Sequence, residues 1–268
     1  MTKYKPIFIS HPTGAPGAFL ASMIIAMLRN DEEIFEISSD GNCANYYIRY
    51  KEEVMPNYSL GKPWDYTPIP FNSDQPIVIT ALDNPNFESL DQCTEDYLHI
   101  RIDTNDDDVL WIYTNLYFRV LVKNSIQSQH MSMAWDTYKL LRFKKEISEE
   151  VENLDDLSVE ASELLLRHQA FATVSKPWKK LRYKPDGNHP HPDRCWDLAH
   201  SDLIFKPLEV MSKLETMFGV EEDPIHYYNY LRFLEYQQFF IRRQAPWLEI
   251  HLEKIQNACQ EIERKYNL

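Results

Sequence analysis

Two of the chain's six glycines, Gly14 and Gly17, fall in one short turn, HPTGAPG from His11 to Gly17, between an apolar run and a stretch with helical spacing. Glycine in such a place lets backbone amides close on an anion, and the helix that follows adds the positive end of its dipole. Backbone contact needs no particular side chain, so Thr13, Gly14, Ala15, Gly17 and Ala18 are the candidate anion-binding positions. A plainer alternative stays open, in which the turn is a tight connection that uses glycine only for its geometry. The ATPase form of this loop ends in Gly-Lys-Ser/Thr, the lysine for the phosphates and the hydroxyl for magnesium. Here Gly17 is followed by Ala18 and Phe19, which argues against a magnesium-ATP hydrolase. The dinucleotide fingerprint G-x-G-x-x-G is absent as well.

Three further groupings have chemical potential. Lys176 to Lys184, reading KPWKKLRYK, gathers five cations and two aromatics in an acidic protein; it can cover an anionic ligand, or it can be a solvated loop that balances the acidic helix before it. His189, His191, Asp193, Cys195 and His200 are metal-capable side chains at short spacing. Zinc needs four convergent ligands, the prolines stiffen the segment and no second cysteine pair exists, so no metal is expected. Asp106 to Asp108 read as a helix start, where carboxylates meet free amides and the helix dipole, with a cation site as the alternative.

These groups are positioned by a repeated strand and helix order. Pro6 to Ser10 is a short buried strand, the turn follows, and a helix runs from about Ala18 to Asn30 with Phe19, Leu20, Met23, Ile24, Met27 and Leu28 on one face. Residues 38 to 75 are mostly irregular, with one short element near Tyr46. Pro76 to Thr80 and Tyr97 to Ile102 read as further strands of a parallel sheet. Val109 to about Gln127 has helical periodicity with Arg119 and Lys123 towards its end. Strand then helix, repeated, gives an α/β fold with a doubly wound, mostly parallel sheet.

A helical insert is expected at 131–170, its second helix strongly acidic. A loop-rich segment at 171–200 that can act as a lid follows. Pro207 to Phe218 is a helix capped by Gly219, and a long C-terminal helix spans about Pro224 to Lys265. The whole of 1–268 is expected to be a single domain.

Composition bounds the rest. A net charge of −13 argues against a general nucleic-acid binder or a binder of anionic membranes. The four cysteines are far apart without C-x-x-C spacing, so free thiols in a reducing, cytoplasmic setting are expected. The longest apolar run, Ala18 to Leu28, is far short of the roughly 20 residues that cross a bilayer. The start of the chain does not read as a signal peptide.

Four segments, in order and spacing, resemble the sulfotransferases, which share a P-loop-like fold and transfer a sulfuryl group from 3′-phosphoadenylyl sulfate without metal. Ser10 to Leu20 (SHPTGAPGAFL) is similar to their donor loop T-Y-P-K-S-G-T-T-W-L with one extra residue. Pro76 to Leu82 is similar to their second strand, Ile102 to Val109 stands where V-x-R-N-P-x-D-V stands, and Ser201 to Pro207 with its helix to Gly219 resembles Y-E-D-L-x-x-D-P. Together they cover about a third of the chain. Arg242 and Arg243 follow Phe239, Phe240 and Ile241 much as the family's F-F-R-K-G reads, although in a helical context.

The resemblance implies a nucleotide sulfuryl donor at Thr13 to Ala18 and a hydroxyl acceptor under the 170–200 loop. The family's usual side chains are replaced: the loop lysine by Thr13 or Gly14, the base histidine by Ala81, the phosphate-holding arginine by Thr104 and the serine after it by Ile112. The nearest substitutes are His11, Arg101, Arg119 and Lys123, with Asp83 as a base in place of the missing histidine. Each also has a plain role as a solvated or hydrogen-bonded residue. The rival expectation is a protein that keeps the fold without catalysis and meets a protein partner through the acidic insert or the C-terminal helix. An unusual kinase would need magnesium, for which Asp83 is the candidate.

Overall fold

A computed structural model describes residues 5–11, 15–37, 44–54, 75–82, 96–104, 191–244 and 246–268. Its centre is a four-stranded, all-parallel sheet made of β1 (Ile7–His11), β2 (Val78–Leu82), β3 (Leu98–Asp103) and β4 (Cys195–Ala199), in the order β2-β1-β3-β4. Ile7, Phe8 and Ile9 are all buried, as in a strand covered on both faces. That α/β architecture agrees with the strand-helix reading. Strands β2 and β3 begin one or two residues later than the sequence suggests.

Helix α1 (Gly17–Arg29) follows β1 directly and is buried over nearly its whole length. It ends at Asn30, which takes a left-handed conformation (φ 52°) while its amide and that of Asp31 bond back to Met27 and Ala26. The short element expected near Tyr46 is a helix, α2 (Ala44–Val54), which places Tyr46, Tyr47 and Tyr50 on one buried side. Tyr47 ties α2 to β2, its hydroxyl donating to the Val78 carbonyl and accepting from the Thr80 amide.

After β4 come α3 (His200–Phe205), α4 (Pro207–Phe218), α5 (Pro224–Gln244) and α6 (Leu252–Tyr266). Proline opens α4 and Gly219, at φ 62°, closes it, as the sequence indicates. The expected single C-terminal helix is two: proline has no amide to donate and clashes with the preceding turn, and at Pro246 the chain passes into a 3-10 turn, Pro246–His251, before α6. Helices α5 and α6 pack together, with Ile255, Ala258, Cys259 and Ile262 as the buried stripe of α6. Phe19 of α1 stacks on Phe233 of α5 at 3.9 Å between centroids, so the first and last thirds of the chain share one core.

The 171–200 segment is not loop to its end. Cys195–Ala199 pairs with β3 in register, His99 with Cys195 through Asp103 with Ala199, because Trp196 and Leu198 alternate inward. The remainder of the expected lid, 171–190, and the helical insert expected at 131–170 lie outside the described residues. Among the described residues no helix is long and apolar enough to cross a membrane.

Candidate functional site

Strand order locates the crevice. The chain leaves β1 for β2 on one side and later enters β3 on the other, so the crossovers diverge between β1 and β3. In open α/β sheets ligands bind beyond the carboxyl ends of the strands at such a switch point. Here that edge carries His11 at the end of β1, Thr104 directly after β3 and His200 directly after β4, all buried.

Ala15, Gly17 and Ala18 of the predicted anion loop are at this edge. Ala15 is buried, its carbonyl accepts from the Gly17 amide at 2.9 Å, and the Pro16 carbonyl accepts from Leu20. No side chain caps α1, and the amides of its first turn face the loop end of the helix. Gly17 has a reason beyond anion approach: a Cβ built on it would collide with the imidazole of His11. Strand end and helix start are thus closed on each other at a point where any larger residue meets a ring. Thr13, Gly14, Asp83, Arg119 and Lys123 lie outside the described residues, as do Lys176 to Lys184 and His189.

Arg101 does not join His11. Side chains alternate along a strand, and the register Ser10 with Arg101 puts those two on the sheet face opposite to Ile9 and His11. There the Arg101 guanidinium, 5% exposed, makes a bidentate pair with Asp197 of β4 at 2.5 and 2.7 Å. Burial pushes the Asp197 carboxyl up, but the hydrogen bonds and charge of Arg101 outweigh it and hold the carboxyl below its ordinary value. Cys195 donates to the same carboxylate at 3.6 Å, and burial pushes its thiol up to about 12, out of the range of a nucleophile at neutral pH. The sequence placed Arg101 near a reacting group; the structure instead uses it to join β3 to β4.

One pair was missed from sequence. Ser10 Oγ and His99 Nε2 share a 2.6 Å hydrogen bond, both residues fully buried, on the face that holds Arg101 and Asp197. With no exposure it stitches β1 to β3. The signal that could have found it is the period-two alternation of LHIRID, where polar His99 and Arg101 alternate with Ile100 and Ile102.

The His-Pro segment disperses: His191 packs edge-on against Tyr97 at 6.5 Å, Arg194 lies over the same ring, and His200 is buried at the sheet edge. Among the described residues no three His, Cys, Asp or Glu side chains come together as ligands of one metal. Arg242 is exposed on α5, bonds to Gln238 one turn earlier and lines a groove of about 480 Å³ between α5 and α6 with Glu235, Phe239, Cys259 and Glu263. Its resemblance to a donor-phosphate segment has no support in that position. Compared with known proteins, the chain matches no family model, no curated protein and no solved structure, so the sulfotransferase resemblance rests on its residues alone.

Proposed function

We propose that this chain binds the phosphate- or sulfate-bearing end of a nucleotide in the crevice between the carboxyl ends of β1 and β3. The nucleotide is taken to be 3′-phosphoadenylyl sulfate, as in a sulfotransferase-like protein of the doubly wound, P-loop-like kind working in the cytoplasm. The observation that carries the reading is the strand order β2-β1-β3-β4, which puts a switch point at the end of β1, immediately before the turn and the N-terminus of α1. In the catalytic version, loop amides and a nearby cation stabilise charge on the transferred sulfuryl while a base takes the proton of a hydroxyl acceptor.

A second reading, a nucleotide- or anion-binding module without catalysis, is favoured by the Arg101–Asp197 pair. That pair removes the one described arginine among the catalytic candidates, on the face away from His11. Calorimetry and thermal shift with 3′-phosphoadenylyl sulfate, adenosine 3′,5′-bisphosphate, magnesium ATP and free sulfate test the shared claim. Ala18→Asp is the matched variant, because a carboxylate in the first turn suits the helix dipole yet repels an anion. Selective stabilisation by the two 3′-phosphorylated nucleotides, lost in Ala18→Asp, is expected. No binding, or binding untouched by that substitution, overturns the proposal. Given binding, sulfate transfer to a panel of phenols and alcohols separates enzyme from module.

A further inference from the structure

We infer that the groove between α5 and α6 is the contact face of a symmetric dimer of this chain, closed by antiparallel pairing of α5 with its own copy. The inference does not rest on the reading above. Glu235, Gln238, Phe239 and Arg242 repeat at i, i+3, i+4 and i+7, one stripe of α5, and with Cys259 and Glu263 of α6 they line the groove of about 480 Å³. The two helices run antiparallel: Tyr227 rests on Tyr266 at 4.3 Å between centroids, and the Gln238 amide donates to the Cys259 sulfur at 3.0 Å. Glu263 therefore stands at the Glu235 end of the groove, and Arg242 lies two turns further along α5, about 10 Å away. The groove has an acidic end and a basic end, with Phe239, 52% exposed, between them. Burial pushes the Cys259 thiol up to about 12 against the hydrogen bond from Gln238, and Glu235 and Glu263 add to the rise, so no reactive thiol faces the groove at neutral pH.

Among the described residues Glu235, Glu263 and Arg242 take part in no salt bridge, and Arg242 reaches only the Gln238 side chain one turn earlier, at 3.4 Å. The cation cannot close on the carboxylates of its own chain across two helical turns. A two-fold axis passing between Gln238 and Phe239 brings it to those of a copy: Glu235 then faces Arg242 of the second copy, and Phe239 faces the second copy's Gln238. Each Arg242 meets two carboxylates, Glu235 and Glu263, and both Phe239 rings leave water. An isologous contact must be its own complement, and an acid, an apolar centre and a base in that order along one helix meet this condition when the copy runs antiparallel. A wholly cationic partner would meet Arg242 as a like charge. The net charge of −13 makes two copies repel at long range, so their attraction has to be local and of alternating sign, as it is in this stripe.

Sedimentation velocity on the full chain, over a dilution series, reads its mass against 31.8 kDa for one copy. Expected is a dimer at about 100 μM chain that dissociates on dilution, as small interfaces do. Glu235→Arg sets two guanidinium groups face to face and Arg242→Glu sets carboxylates face to face, so each variant alone is expected to associate at least about tenfold more weakly than wild type. Mixed in equal amounts, the two variants are expected to pair with each other, because in the mixed dimer each new charge meets its opposite. All the substituted positions are exposed, and melting temperatures check that each variant is folded. Where a charge reversal fails to fold, Phe239→Ala takes its place and is expected to weaken the dimer about tenfold. A wild type that stays monomeric at about 100 μM overturns the inference. So does a dimer that survives Arg242→Glu or Phe239→Ala undiminished, and so do two folded charge variants that remain monomeric when mixed.

Discussion

Substituting Gly17 by alanine separates two reasons for a glycine at the head of α1. A single methyl group there meets the Cδ2, Nε2 and Cγ atoms of His11, and the ring is itself buried at the end of β1, so it has little room to retreat. Overpacking of this kind costs about 1–3 kcal/mol. Alanine is the better helix former by up to about 1 kcal/mol, less at a first-turn position. The net expectation for Gly17→Ala is a loss of about 1–2 kcal/mol, or about 2–8 °C in melting temperature for a chain of this size. Urea denaturation of Gly17→Ala, His11→Ala and the double variant completes a cycle in which the methyl should cost nothing once the ring is gone. The coupling between the two positions should therefore equal the overpacking cost alone, about 1–3 kcal/mol. If Gly17→Ala is as stable as wild type with His11 in place, the ring is not what demands a glycine, and close approach of a ligand becomes its remaining reason.

Asp197→Asn leaves the buried Arg101 guanidinium without its counter-charge. Breaking a buried pair costs about 3–5 kcal/mol, and because the Asp197 side chain is about half exposed the expected loss is nearer 2 kcal/mol, read by urea denaturation at pH 7. Since Arg101 holds the Asp197 carboxyl below its ordinary value, that advantage is fully present above about pH 4 and disappears as pH falls through the folded-state value; a wild-type advantage that does not shrink in acid would refute the assignment. His226 is buried, with no partner for Nδ1, and burial lowers its affinity for a proton despite the opposing pull of Asp223 and Asp31. The unfolded chain then binds the proton more readily, so stability is full above about pH 6.5 and declines as pH falls below it, by up to about 1.4 kcal/mol per pH unit. His226→Gln should remove that slope between about pH 6.5 and 5, and an unchanged slope would show that His226 is not its source.

The parts of the fold that could be read in advance are those whose local pattern and tertiary role agree. Ile7 to Ile9 form a continuous apolar run because the strand is central, and α1 and α4 carry both periodicity and end signals, with Gly219 at a left-handed cap. Strand β4 escaped because it alternates: Cys195 and Asp197 face the polar side of the sheet, so only Trp196 and Leu198 mark it, behind a proline-rich stretch that reads as loop. Helix α2 was legible only as a short element near Tyr46, of undecided type, because Tyr46, Tyr47 and Tyr50 favour strands by type and only their spacing shows that they pack as one side of a helix. The break at Pro246 was written in the sequence, but the apolar spacing resumes at Leu248, Leu252 and Ile255 and conceals it.

The site divides differently, because residue types are local while their roles depend on register. Arg101 and His11 were equivalent candidates until parallel pairing put them on opposite faces, and Arg101 then met Asp197, a residue 96 positions away. His200 had only a metal-ligand reading, and Thr104 had been noted for the arginine it replaces; their adjacency comes from the pairing of Asp103 with Ala199. Gly17 drew attention to an anion, yet the imidazole lying against it accounts for a glycine with no ligand at all. The case for a ligand at this edge therefore passes from the glycine to the divergence of the chain on either side of β1.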